Sequence, residues 1–315
     1  MSKILVTWAT GQIWSELVPA LRKIYWGENV IAIGNRTTPT GELLTWWPFE
    51  IADVTNKERM RELIQKYDID IIYHLVGLLS ATWEKNPDLA REINVNGLKN
   101  MLDLSVEYKI KRFFWPSSIA AFGPNTPRDN TPQFTPMDPT TMYGVTKVTW
   151  ELLCQYYFEK YNLDTRSLRY PGVISWKTLP GGGTTDYAVA IYYDAIEKWS
   201  YEFFVNEETT LPMMYMPDAV KATIDIMQAD SVNIHTSYNL TAFSFSAKEL
   251  EENVRKYIPG LKCTYAPDFR QKIANSRPAS IDDSIAKQDR NRKPDFDLDT
   301  MSTDMINNLK IKLEK

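Results

Sequence analysis

Cysteine and histidine are almost absent from this chain of 315 residues: there are two of each. Cys154 and Cys263 lie far apart, so they offer neither a disulfide framework nor a thiolate metal spacing. His74 and His235 are too few for a histidine metal site, and no metal is expected. Long apolar runs are missing too. None approaches the roughly 18–20 residues that span a bilayer. A strand-like run stands directly at the N-terminus, with no leader pattern ahead of it. Scarce cysteine and this absence point to a cytoplasmic protein with no membrane partner. A strong excess of positive charge is also missing. The net charge of -4 argues against a general nucleic-acid binder. Glycine is scarce: 13 residues where average usage of roughly 7% would give about 22. Tryptophan, by contrast, is abundant at 10.

What is present is an ordinary globular composition, 43% hydrophobic and 24% charged. The first half alternates strand and helix signals. Ile4–Thr7, Val30–Ile33, Phe49–Ala52, Ile69–Leu75, Arg112–Trp115 and Thr165–Tyr170 read as strands. Segments 12–25, 56–66, 87–108 and 141–161 read as helices, the first with Leu17, Leu21 and Ile24 on one face. Such alternation predicts right-handed crossovers and a parallel sheet covered on both faces. The fold class is therefore α/β, a doubly wound Rossmann-type sheet with a smaller C-terminal substrate lobe. The expected division is 1–171 with 218–240 returning to it, against 172–217 and 241–315. The polar stretch 277–295 reads as a solvated face or a loose loop.

Tyr143-Gly-Val-Thr-Lys147 carries the strongest chemical signal. Tyr and Lys four apart share one helix face. An ammonium beneath a phenol lowers its pKa from about 10 and lets it exchange protons. Such pairs also occur on ordinary amphipathic helices; context decides here. Ser117 and Ser118 end the strand that precedes this helix, and Ser80 follows the strand before that. Ligands of open α/β sheets sit beyond the carboxyl ends of strands, so Ser80, Ser118 and Tyr143 are expected at one crevice. Asn94 lies inside the 87–108 helix and bridges water or backbone, or is simply exposed.

These motifs resemble the extended short-chain dehydrogenase/reductase family, and within it the short-chain type of L-threonine 3-dehydrogenase. The likeness covers nearly the whole chain. It rests on Val6-Thr-Trp-Ala-Thr-Gly11-Gln-Ile, Leu78-Leu-Ser-Ala81 with Glu84-Lys-Asn-Pro87, Trp115-Pro-Ser-Ser-Ile119, Tyr143 to Lys147, Arg166-Ser-Leu-Arg-Tyr-Pro-Gly172, Gly181-Gly-Gly-Thr-Thr-Asp-Tyr187 and Leu211-Pro-Met-Met-Tyr-Met-Pro217. The resemblance implies NAD-dependent oxidation of L-threonine to 2-amino-3-ketobutyrate. By it Tyr143 takes the hydroxyl proton, Lys147 lowers its pKa and holds the nicotinamide ribose, and Ser118 positions the hydroxyl. Ser80, Thr185 and Asp186 surround the amino acid. Gly11, Gln12, Ile13, Asp53, Leu75, Asn94, Tyr170 and Pro171 belong with the cofactor, Asp53 meeting the adenine amine. It also implies a homodimer through the helices 87–108 and 141–161.

The chain departs from that pattern in places. The family's three loop glycines fall at Trp8, Gly11 and Trp14. A tryptophan at position 8 meets about 1–2 kcal/mol of strain if φ is positive. At position 14 an indole must fit between helix and strand. Gly34-Asn35-Arg36 lacks the acid that binds the ribose hydroxyls of NAD, and Arg36 opens an NADP alternative. Tryptophans 83, 150 and 199 stand where small residues are usual, and Arg277 stands where tryptophan is usual. Two other readings stay open: a fold that no longer holds dinucleotide, and a nucleotide-sugar epimerase.

Overall fold

The computed structural model describes residues 2–8, 12–35, 48–76, 86–290 and 293–314. Twelve strands are found: β1 Ile4–Thr7, β2 Val30–Gly34, β3 Phe49–Ile51, β4 Ile71–His74, β5 Arg112–Ser118, β6 Thr165–Tyr170, β7 Gly172–Ile174, β8 Ser200–Phe203, β9 Thr210–Tyr215, β10 Tyr238–Asn239, β11 Phe243–Ser246 and β12 Lys262–Tyr265. Seven form one sheet in the order β10-β6-β5-β4-β1-β2-β3. Every pairing in it is parallel. This is the expected α/β doubly wound sheet. The order reverses at β1, so the crevice lies between the connections that leave β1 and β4 on opposite faces. A smaller sheet, β11-β9-β7, and a two-stranded pair, β12-β8, lie C-terminal to β6.

β1, β2 and β4 are buried along their whole length. That explains their continuous apolar runs, since helices cover both faces. One face packs Leu17, Val18, Leu21, Val220 and Ile224 against Val6 and Tyr73. The other packs Leu63, Leu98, Met101, Trp115 and Trp150 against Leu5 and Ile72. The helix Trp14–Tyr25 buries Trp14, Leu17, Val18 and Leu21. Ile24, expected on that face, is instead 42% exposed.

β5 runs to Ser118, where the sequence reading ended this strand, because Pro116–Ser118 stay paired with Leu168–Tyr170 of β6. One difference from the sequence reading affects the site: the segment 87–108 is not one regular helix. A π-helical turn, Glu92–Asn96, separates the helices Pro87–Arg91 and Gly97–Glu107. Asn94 is buried in that turn and donates from Nδ2 to Thr146 Oγ1 at 3.1 Å. The wide turn carries the amide into the interior, against the helix that holds Tyr143 and Lys147.

Candidate active site

A cleft opens beyond the carboxyl ends of β1, β4, β5 and β6. It is lined by Trp8, Gln12, Ile13, Trp14, Leu75, Ser118, Tyr143, Lys147, Tyr170, Pro171, Thr185, Asp186 and Arg277, among others. Most of the residues expected at the site are therefore brought together. Asp53 and Asn94 do not line the cleft. Asp53 is occupied by Asn35 Nδ2 at 3.1 Å and by the Thr55 backbone and hydroxyl. Gly11, Arg36, Ser80 and Trp83 lie outside the described residues.

Local structure explains the placing of Tyr143. Thr141 caps the helix Met142–Tyr161 by accepting from Gly144 N at 3.2 Å. Gly144 then presses on the chain just after Ser118: a Cβ there would sit 2.2 Å from Ala120 O. Only glycine permits that approach. It brings the phenol of Tyr143 into a hydrogen bond with the Ser118 side chain. Ser118 also accepts from Ala120 N at 3.1 Å, which fixes its rotamer.

Lys147 lies one turn further on, 1% exposed. Its Nζ donates to Pro116 O at 2.6 Å and stands 5.4 Å from the Tyr143 ring centre and 4.2 Å from the Trp150 ring. Burial pulls its pKa down to about 7, with the charge of Glu151 acting the other way. Burial raises the Tyr143 pKa, while the Ser118 hydrogen bond and the Arg277 charge lower it. Arg277, whose guanidinium does not lose its proton, thus adds a positive charge near the phenol beside Lys147.

Sequence reasoning missed the site roles of Arg277 and of the Glu151–Arg169 pair. Arg277 is 5% exposed and reaches Ile119 O at 3.5 Å. The nearby Thr131–Ile281 bridge ties its segment to the loop around Thr131. Beneath the cleft, Glu151 forms a buried bidentate pair with Arg169 at 2.9 and 2.7 Å and accepts from Ser117 at 2.6 Å. Glu151 sits four residues after Lys147, a spacing that could have flagged it. The 181–187 loop is held by Asp186, whose Oδ2 accepts from Gly182 N and Gly183 N, both at 2.7 Å. Thr185 on that loop faces the cleft. No cluster of metal-ligating side chains is found among the described residues. No helix among them is long and apolar enough to cross a membrane.

The profile of the family described as "NAD dependent epimerase/dehydratase family" matches residues 4–241. The chain belongs to that family. An uncharacterized epimerase/dehydratase of Staphylococcus saprophyticus is 48% identical over 309 residues, 97% of this chain and 96% of the relative. Among solved structures, an L-threonine dehydrogenase from Clostridium difficile superposes with a TM-score of 0.96. It is 48% identical, with 99% of this chain and 98% of that one covered. A monomeric L-threonine 3-dehydrogenase from a metagenome gives 0.94 at 46%, covering 99% and 100%. These neighbours support a dehydrogenase, and with the family they imply a nicotinamide cofactor.

This epimerase/dehydratase-family cleft fits such a cofactor at one end only. At the inner end Leu75, Tyr170 and Pro171 supply apolar surface near Tyr143 and Lys147. An ammonium has three N–H donors, and the bond to Pro116 uses one, which suits Lys147 to a ribose hydroxyl. At the outer end Trp8 and Trp14 are among the residues that line the cleft. A diphosphate would lie there, against the strand-to-helix turn. Trp8 has φ 64, the strained conformation glycine takes freely. The residues at this end do not fit the group.

Proposed function

We propose that the protein is a nicotinamide-dependent dehydrogenase of a small β-hydroxy amino acid, L-threonine, yielding 2-amino-3-ketobutyrate. The observation that supports this is the Tyr143–Ser118 hydrogen bond with Arg277 and Thr185 in the same cleft, in a family whose solved neighbours include L-threonine dehydrogenases. Tyr143 accepts the proton of the β-hydroxyl, and Ser118 orients that hydroxyl. Arg277 stabilises the phenolate form that does so. Lys147 anchors a ribose. The Gly181–Tyr187 loop presents Thr185 to the amino acid, with Asp186 holding the loop in shape. Leu75, Tyr170 and Pro171 would hold a nicotinamide beside Tyr143, and that group would supply the hydride acceptor the oxidation needs.

The deciding experiment is absorbance at the NADH wavelength with purified, folded protein and L-threonine. Turnover with NAD is expected. No turnover with NAD or NADP overturns the reading. A second reading, a fold that does not hold dinucleotide, is favoured by Trp8 and Trp14 in the cleft. Micromolar NAD affinity of the unaltered chain ends it.

An exposed apolar surface lies on the outer face of the segments 87–107 and 142–161. Leu89, Val145, Leu152 and Tyr156 are each at least 45% exposed there. We assign this face to a homodimer contact.

A further inference from the structure

Among the described residues, eight that are not glycine have positive φ: Trp8, Trp26, Asp68, Lys109, Asn130, Asn162, Trp199 and Glu314. Asp and Asn tolerate this region because their short polar side chains bond locally. An indole has no such compensation, yet tryptophan holds three of the eight positions. Trp26 has φ 69 and ψ 142, close to a region entered essentially by glycine alone. Each of the three stands where a chain needs glycine for its own reason. Trp8 lies on the strand-to-helix turn after β1. Trp26 directly follows the helix Trp14–Tyr25, and Trp199 directly follows Tyr187–Lys198, the places where a left-handed residue ends a helix. Trp26 and Trp199 are 61% and 57% exposed, so their indoles gain little burial in return.

Strain kept for function gathers at one site. Trp26 and Trp199 are not among the residues that line the cleft, so catalysis does not account for them. Trp14 occupies the third glycine position of the loop motif. It is 1% exposed. The common factor is the residue type, not the location. The glycine shortage, 13 against 10 tryptophans, has the same direction.

We propose that positions 8, 14, 26 and 199 are glycine sites: a codon rendered here as tryptophan is read as glycine in the cell that makes this protein. Trp115 and Trp176 are different. Neither has positive φ. Trp115 lies in β5, fully buried, with its ring 5.6 Å from that of Trp150. They stay tryptophan. With glycine at positions 8 and 14, the outer end of the cleft opens onto the helix N-terminus and accepts a diphosphate. The inference holds whichever substrate the inner end takes.

Tandem mass spectrometry of the protein isolated from its own cells tests this directly. Glycine masses are expected at 8, 14, 26 and 199, with tryptophan at 115 and 176. Tryptophan at 8, 26 or 199 overturns the proposal. In recombinant protein, Trp26→Gly and Trp199→Gly each raise Tm by about 2–4 °C; a fall in Tm speaks against it. By calorimetry, Trp8→Gly/Trp14→Gly binds NAD at least tenfold more tightly than the unaltered chain. Equal affinity of the two overturns the assignment at 8 and 14. Restored NAD binding without threonine turnover fells the dehydrogenase reading and leaves this one standing.

Discussion

At the scale of single residues, two cations near the phenol have opposite fates. Arg277 keeps its charge and lowers the Tyr143 pKa. Its replacement in Arg277→Leu leaves burial unopposed by that charge. The acid limb of the kcat/KM profile then moves to higher pH, and Arg277→Lys restores part of the shift. An unmoved limb in Arg277→Leu refutes this role. Lys147 is the buried cation whose own pKa falls to about 7 from 10.5. Below pH 7 both folded and unfolded chains hold this proton, and its burial penalty is fully present. Between about pH 7 and 10 the unfolded chain binds it more tightly, so stability rises with pH. Urea unfolding compared with Lys147→Met measures this: the unaltered protein gains on the variant as pH rises across that window. Tyr143, Lys147 and Ser118 were legible in the sequence because spacing and strand ends place them. Arg277 was not, because nothing local links a residue in the last third of the chain to β5.

At the scale of elements, the helix Met142–Tyr161 carries the chemistry and is aimed by its first turn. Thr141→Ala removes the cap on Gly144 N. The expected loss is about 1 kcal/mol, read as a Tm lower by roughly 2–4 °C, with kcat/KM reduced because Tyr143 sits in that first turn. An unchanged Tm would show the cap to be idle. Alternation of apolar runs gave away the sheet, since buried parallel strands leave no polar face. The π-helical turn at Glu92–Asn96 was hidden. Periodicity averages over a segment, and one extra residue in a turn barely alters it. The Glu151–Arg169 pair was hidden for another reason: two charges in apolar elements look like surface residues until the fold buries them.

At the scale of the whole molecule, the parallel sheet and the smaller β11-β9-β7 sheet meet at Tyr170–Gly172, where β6 passes directly into β7. Gly172 is the joint: a Cβ there would lie 2.3 Å from Met213 Sδ and 2.9 Å from Thr185. The exposed stripe of Val145, Leu152 and Tyr156 sits on the opposite side of the catalytic helix from the buried Lys147 and Glu151. Sedimentation is expected to give a dimer, and Leu152→Glu a monomer that remains folded. A monomer before any substitution removes the assignment of that face.

The segment that bears Arg277 is joined to the rest by Ala279 N and Ser280 N on Arg128 O, and by Asp282 N on Thr131 O. These bonds link the end of the chain to a loop made long before it. During synthesis the ribosome finishes every strand of the large sheet before it reaches them. A chain made only as far as the large sheet thus carries Tyr143 and Ser118 but not yet Arg277.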